Sequence, residues 1–241
     1  MANADRQQQL AQFSESLGLA FENCALLDQA LTHASACNDN PEVSGHYETL
    51  EFLGDAALEL AISHILYARN PQGTPGLFTQ LRSMVVNKKA LAQVGRSLGI
   101  GACIQLGKGE EQSGGRERDA LLADSVEALL AAIYLDAGWD SVYSFIEEHF
   151  IGVIADAESS MNQLDYRSQL QNHCQGEKID LPTFRVVNEQ GPDHDKTFEV
   201  EVSLRGAHAG TGRASSKKEA ERMAAREALR QEGVAPLERD L

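Results

Sequence analysis

The sequence predicts an all-α domain followed by a small α+β domain of order α-β-β-β-α. Three observations predict it. From residue 5 to about 156 apolar residues recur at helical spacing with no alternating stretch among them. TFRVVNE (183–189) and KTFEVEVSL (196–204) then change the period to two, with Phe198, Val200, Val202 and Leu204 alternating with Glu199, Glu201 and Ser203. The charge balance changes at the same place: residues 1–162 hold 9 Lys/Arg against 22 Asp/Glu, whereas residues 163–231 hold 11 of each.

The helical segments, in order, are QLAQFSESLGL, CALLDQALTHAS, TLEFLGDAALEL, LFTQLRSMVVNKKALAQVGRSLG, ALLADSVEALLAAIYLDAG and DSVYSFIEEHFIGVIADA. Turn-rich ACNDNPEVSGHY (36–47), RNPQGTPG (69–76) and GKGEEQSGGRERD (107–119) form the longest breaks between them. A short linker is expected at 157–162, which sets domains at 1–158 and 163–232 and a flexible tail at 233–241. In the second domain 164–175 reads as a helix and 207–213 as a third strand. SSKKEAERMAAREALRQ closes it as a helix that starts in a capping box, Ser216 with Glu219, and packs through Ala220, Met223, Ala224 and Leu229.

With 241 residues, 42% apolar and 24% charged, the chain has an ordinary globular composition and the length of one large domain or two of moderate size, of which two are expected. Its longest apolar run, ALLAAIYL (128–135), is too short to span a bilayer, and the N-terminus shows no signal pattern. A cytoplasmic location without a membrane partner is therefore expected. Cys24, Cys37, Cys103 and Cys174 are scattered without zinc-ligand spacing and read as reduced packing residues. A formal charge of −15 argues against a phosphate-rich partner for the whole chain, but the acid lies almost wholly in the first domain.

The chemistry centres on two apolar helices that carry close acid pairs. Glu51 and Asp55 are four apart, with Glu48 and Glu59 extending the stripe. Asp124 and Glu127 are three apart in LLADSVEALLAAIYL, where almost no other side chain is polar. Each pair taken alone also fits a solvated acidic face. Together they suggest one shared site, and four carboxylates there need a counter-cation. Oxygen-only donors favour a hard divalent ion, magnesium first and manganese as a substitute, which can activate water and neutralise charge on a phosphoryl group. Gly54 stands inside a helix at a cost of about 1 kcal/mol relative to alanine, which close approach of another backbone would justify and a tolerated defect explains equally well. Lys217 and Lys218 stand at a positive helix start where a bound phosphate would resolve the conflict, although two solvated lysines explain them equally well.

ALTHAS (30–35), YETLEFLGDAALEL (47–60), SGGRERDALLADSVEALLAAIYLDAG (113–138), GPDHDKTFEVEV and SSKKEAE resemble bacterial ribonuclease III, over nearly the whole chain. The resemblance implies an all-α endonuclease domain, homodimeric, followed by a double-stranded-RNA-binding domain. It implies hydrolysis of both strands of duplex RNA, leaving 5′-phosphates and 3′-hydroxyls with short 3′ overhangs, on precursors such as ribosomal RNA and structured messengers. Glu51, Asp55, Asp124 and Glu127 match the family's metal-binding acids, and Asp55 and Glu127 its usual active-site pair. Glu48 matches an acid at the edge of the cleavage valley, and Phe52 an aromatic that inserts into the partner subunit. Phe52 and Gly54 are together assigned to that dimer interface.

Gln171, Gln175, His194, Lys217 and Lys218 match RNA-contacting positions in a domain type that reads duplex shape with little base specificity. Thr49, Tyr47 and Pro75 stand where Arg, Asn and Glu are common in the family, which directs attention to the valley rim. Two other classes share part of this pattern. A duplex-RNA-binding protein without activity would have lost a catalytic acid, and none is lost. A metal-dependent nucleotide pyrophosphohydrolase would have no use for the second domain.

Overall fold

The computed structural model describes residues 2–41, 43, 45–164, 166–191 and 196–234. Contacts divide the chain into two compact units, Met1–Ala157 and Glu158–Leu241. The first holds α1 (Ala2–Ser16), α2 (Cys24–Ala30), α3 (Ala34–Asp39), α4 (Glu48–Arg69), α5 (Pro75–Val85), α6 (Lys88–Ser97), α7 (Ile100–Cys103), α8 (Lys108–Gln112) and a 3-10 turn at Gly115–Glu117. The long α9 (Asp119–Leu164) follows.

Two segments that the pattern reads as single helices are each split. CALLDQALTHAS breaks because Thr32 bridges Gln105: the His33 N–H donates to the Gln105 carbonyl (3.0 Å) and the Gln105 N–H to that of Leu31 (2.7 Å). Its buried hydroxyl donates to the Asp28 carbonyl (2.7 Å), and the His33 ring then caps α3 by accepting the Ser35 N–H (3.2 Å). LFTQLRSMVVNKKALAQVGRSLG breaks at Asn87, whose extended backbone and side-chain oxygen, accepting the Ala90 N–H (3.0 Å), start α6 afresh. The expected loops at 36–47 and 107–119 are partly helical, containing the end of α3, α8 and the 3-10 turn.

Helices α4 and α9 supply the centre of this unit, with Leu58, Ile62 and Leu66 of one and Leu122, Leu129, Leu130 and Phe150 of the other fully buried. The path of α9 bends at Gly138 (φ 82°, ψ −178°). Just before the bend, the Asp136 carboxylate accepts the backbone N–H groups of Glu22 and Asn23 (3.0 and 2.7 Å), which anchors the approach to α2. Because α9 continues to Leu164, the linker expected at 157–162 is helical.

The second unit contains α10 (Tyr166–Gly176), β1 (Thr183–Gln190), β2 (Thr197–Leu204), β3 (Ala207–Ala214) and α11 (Lys217–Gln231), its sheet antiparallel in the order β1-β2-β3. The period-two pattern of β2 turns Val200, Val202 and Leu204 inward against Leu170, Ala220, Ala224 and Leu229. Met223 is only half-buried. Half of the expected capping box forms: the Ser216 hydroxyl accepts the Glu219 N–H (3.2 Å), but the Glu219 carboxylate pairs with Arg222. At the other end Gly233 (φ 73°) and Val234 make a Schellman turn, with the Val234 N–H donating to the Leu229 carbonyl (3.0 Å) and its side chain packing on the core. Gly233 and Val234, expected in the tail, thus close α11, and residues 235–241 lie outside the described residues.

Candidate functional site

Helices α4 and α9 meet backbone to backbone at Gly54. A Cβ there would lie 1.7 Å from the Glu127 carbonyl oxygen, so the crossing requires glycine. Gly54 is buried by its own chain, which corrects its assignment to a dimer interface and explains the glycine inside the helix. The same crossing sets Glu51, one turn before Gly54, beside Glu127 and Asp124. Carboxylate oxygens of Glu51, Asp124 and Glu127 lie within 4.8 Å of one another, each side chain being half-buried.

These acids sit in a groove of about 420 Å3 whose charged lining is Glu48, Glu51, Asp55, Lys88, Asp124 and Glu127. Burial, and after it the Asp55, Glu51 and Asp124 carboxylates, pushes the Glu127 carboxyl up to about 8. Burial, then Asp124 and Glu48, also raises Glu51. Lys88 offsets part of both rises. Such a trio cannot carry its full charge unaided. Half-buried, oxygen-only and within coordinating distance of a common point, it fits a hard divalent cation.

The remaining predicted residues are distributed around this trio. Asp55 lines the groove but is exposed and stands outside the close trio. Glu48 is exposed on the same groove, with His46 Nδ1 3.8 Å from its carboxylate. Glu59, expected to extend the stripe, faces Arg82 (3.9 Å) and takes no part in the groove lining. Phe52 borders the acids with 82% of its surface exposed.

Of the three departures, Tyr47 is a core residue and no part of a rim: it is 3% exposed and packs 5.7 Å from the His33 ring. Burial and the Asp124, Glu51 and Glu48 carboxylates push its phenol further up. Thr49 accepts from the Gln29 side-chain amide (3.3 Å), and Pro75 opens α5 behind its cap Thr74.

Lys88 was not anticipated. Its Nζ lies 3.6 Å from Asp124 Oδ1, from a third element, α6. The sequence pattern runs one helix through 77–99, which puts Lys88 in mid-helix; only the break at Asn87 makes it a lysine at a helix start like Lys217 and Lys218.

In the second unit Lys217 and Lys218 occupy the exposed first turn of α11, behind the cap Ser216. Lys217 is engaged within the chain: its Nζ is 2.7 Å from Glu189 Oε1, holding that carboxyl below its usual range, and 5.3 Å from the Phe198 ring centre. Gln171, half-buried, and Gln175, exposed, share one face of α10 at i and i+4. His194 lies outside the described residues.

Two family descriptions match the chain, Ribonuclease-III-like over residues 23–154 and the double-stranded RNA binding motif over residues 166–232. Ribonuclease 3 of Desulforamulus reducens is 44% identical over 214 residues, covering 88% of this chain and 87% of that protein. Ribonuclease 3 of Oceanobacillus iheyensis is 43% identical over 216 residues, covering 89% and 94%. The nuclease domain of ribonuclease III from Campylobacter jejuni, a structure noted for flexibility in a region involved in dimer formation, is 34% identical. It superposes with a TM-score of 0.54 over 58% of this chain and 94% of that one.

Proposed function

From the premise that this chain belongs to the ribonuclease III family and is a double-stranded-RNA endoribonuclease, we propose that it works as a magnesium-dependent homodimer, with manganese as a substitute. Its products are 5′-phosphate and 3′-hydroxyl ends with short 3′ overhangs, and its substrates are ribosomal RNA precursors and structured messenger RNA in the cytoplasm. The observation that carries the metal assignment is the trio of carboxylates within 4.8 Å, with Glu127 pushed up to about 8.

Glu51, Asp124 and Glu127 would hold the ion, and Asp55 and Glu127 act as the catalytic acids. When bound, the ion supplies activation of water and neutralisation of charge at the phosphoryl group. With its carboxyl pushed up to about 8, Glu127 would have to lose its proton to serve as a ligand. Glu48 sits at the groove's edge, where an incoming strand passes.

Duplex affinity resides in the second unit, through Gln171, Gln175, Lys217, Lys218 and His194, by phosphate contact and shape. Phe52 belongs to the dimer interface. Phe52 is the most exposed of the large apolar side chains of α4, 82% against 60% for Leu60 and 63% for Tyr67, and gains most by burial in a second subunit.

The test is incubation with long duplex RNA and magnesium, with products resolved by size and end chemistry. Glu127→Gln should abolish cleavage and leave duplex binding unchanged. Cleavage at the wild-type rate by that variant would overturn the site assignment.

A further inference from the structure

The acid groove carries its own positive charge. Lys88 is the first residue of α6, where the positive end of the helix disfavours an ammonium group. Its Nζ nevertheless lies 3.6 Å from Asp124 Oδ1, and among the described residues lining the groove it is the sole cation. Its charge also acts on Glu51 and Glu127, so all three close acids feel it.

Packing holds it there. Leu91 and Gly95 follow Lys88 by three and seven residues, on the same face of α6. Gly95 meets α9 so closely that a Cβ would lie 3.2 Å from both the Leu122 carbonyl oxygen and Val126 Cγ2. Leu91 is 1% exposed. This contact runs the first turn of α6 along α9 towards Asp124. The Lys88 side chain itself remains 61% exposed, on a flexible four-carbon stem that can swing.

Resting on the metal-site reading above, we propose that Lys88 is the resident counter-cation of the acid cluster. In the metal-free protein its ammonium group holds the Asp124 carboxylate in the site. When a divalent ion takes Asp124, Lys88 gives up that carboxylate and turns its charge to a phosphate oxygen of the RNA. The residue therefore opposes metal binding and assists cleavage. These two effects have opposite signs, which separates the proposal from a merely structural role, since loss of local structure weakens both.

Lys88→Met removes the competing charge and leaves the stem. Divalent ions should then bind about three- to tenfold more tightly, from a unit charge near 4 Å at a surface-like dielectric, reduced for exposure. Single-turnover cleavage at saturating magnesium should fall about 10- to 100-fold through loss of a positioned phosphate contact. Lys88→Arg keeps the charge and should retain wild-type metal affinity and most of the rate.

The experiment titrates the full-length wild type, Lys88→Met, Lys88→Arg and Glu127→Gln with Mn2+ by calorimetry without RNA, then measures single-turnover cleavage of one duplex. Tighter Mn2+ binding with slower cleavage in Lys88→Met, both reversed in Lys88→Arg, supports the proposal. Unchanged or weaker Mn2+ binding in Lys88→Met, or an unchanged rate, overturns it while wild type binds and Glu127→Gln does not. No Mn2+ binding by wild type, or equal binding by Glu127→Gln, overturns the metal-site reading and this inference with it.

Discussion

Replacing Glu127 by glutamine should stabilise the metal-free protein, and by an amount that depends on pH. The side chain is held half-buried beside three other carboxylates, so its pKa rises from an ordinary 4.5 to about 8. Between those values the folded chain holds a proton that the unfolded chain has lost. Stability therefore falls as pH rises through that window, the folded form binding more protons throughout it. Each pKa unit is worth about 1.4 kcal/mol, so the full displacement corresponds to roughly 5 kcal/mol. Solvent reaching a half-buried group reduces this to about 2 kcal/mol.

Glutamine matches the protonated carboxyl in size and carries no charge at any pH. In chelator, urea unfolding followed by circular dichroism should give coincident stabilities for wild type and Glu127→Gln near pH 5. By pH 8.5 the variant should be more stable by about 2 kcal/mol. Magnesium should reverse the order, because an ion bound only by the folded carboxylates stabilises wild type alone. Parallel stability curves from pH 5 to 8.5 in chelator would refute the claim that burial and neighbouring acids destabilise the charged form.

Gly54→Ala should cost about 3 kcal/mol or more and abolish cleavage, since its Cβ would sit 1.7 Å from the Glu127 carbonyl oxygen. Gly152→Ala, with open space around it on α9, should instead gain about 0.5 kcal/mol; equal effects in urea titrations would contradict the crossing argument. Phe52→Ala should leave the urea midpoint of the monomer unchanged, because the ring is 82% exposed, and shift sedimentation towards monomer. Wild type that sediments as a monomer at micromolar concentration while making paired cuts would defeat the interface. Lys217→Ala with Lys218→Ala should weaken binding to all duplex sequences alike and reduce the slope of log affinity against log salt by about 2. Unchanged affinity and slope in a filter-binding assay would return both lysines to solvent.

Much of the chemistry is local and therefore legible in sequence. A helix puts residues three and four apart on one side, so the pairing of Glu51 with Asp55 and of Asp124 with Glu127 needed no coordinates. The alternation in β2 and the cap at Ser216 are of the same kind, each a relation among residues a few positions apart. Glycine at 54 fits a close backbone approach and a tolerated defect equally well in sequence, and says nothing of which backbone approaches.

What tertiary structure decided is which local features meet. The contact of Gly54 with the Glu127 carbonyl turns two acid pairs into one cluster, across 73 positions of sequence, and selects Glu51 for the close trio while leaving Asp55 exposed. The pairing of Thr32 with Gln105 breaks a helix that its own periodicity supports, because backbone groups bonded to a residue far along the chain in an isolated bridge are lost to the helix ladder. Glu59 leaves the stripe since Arg82 faces it from α5. Lys88 enters the groove because Gly95 lets α6 lie against α9. None of these follows from spacing along one element: helical periodicity determines which face a side chain is on, and the packing of a second backbone determines what that face meets.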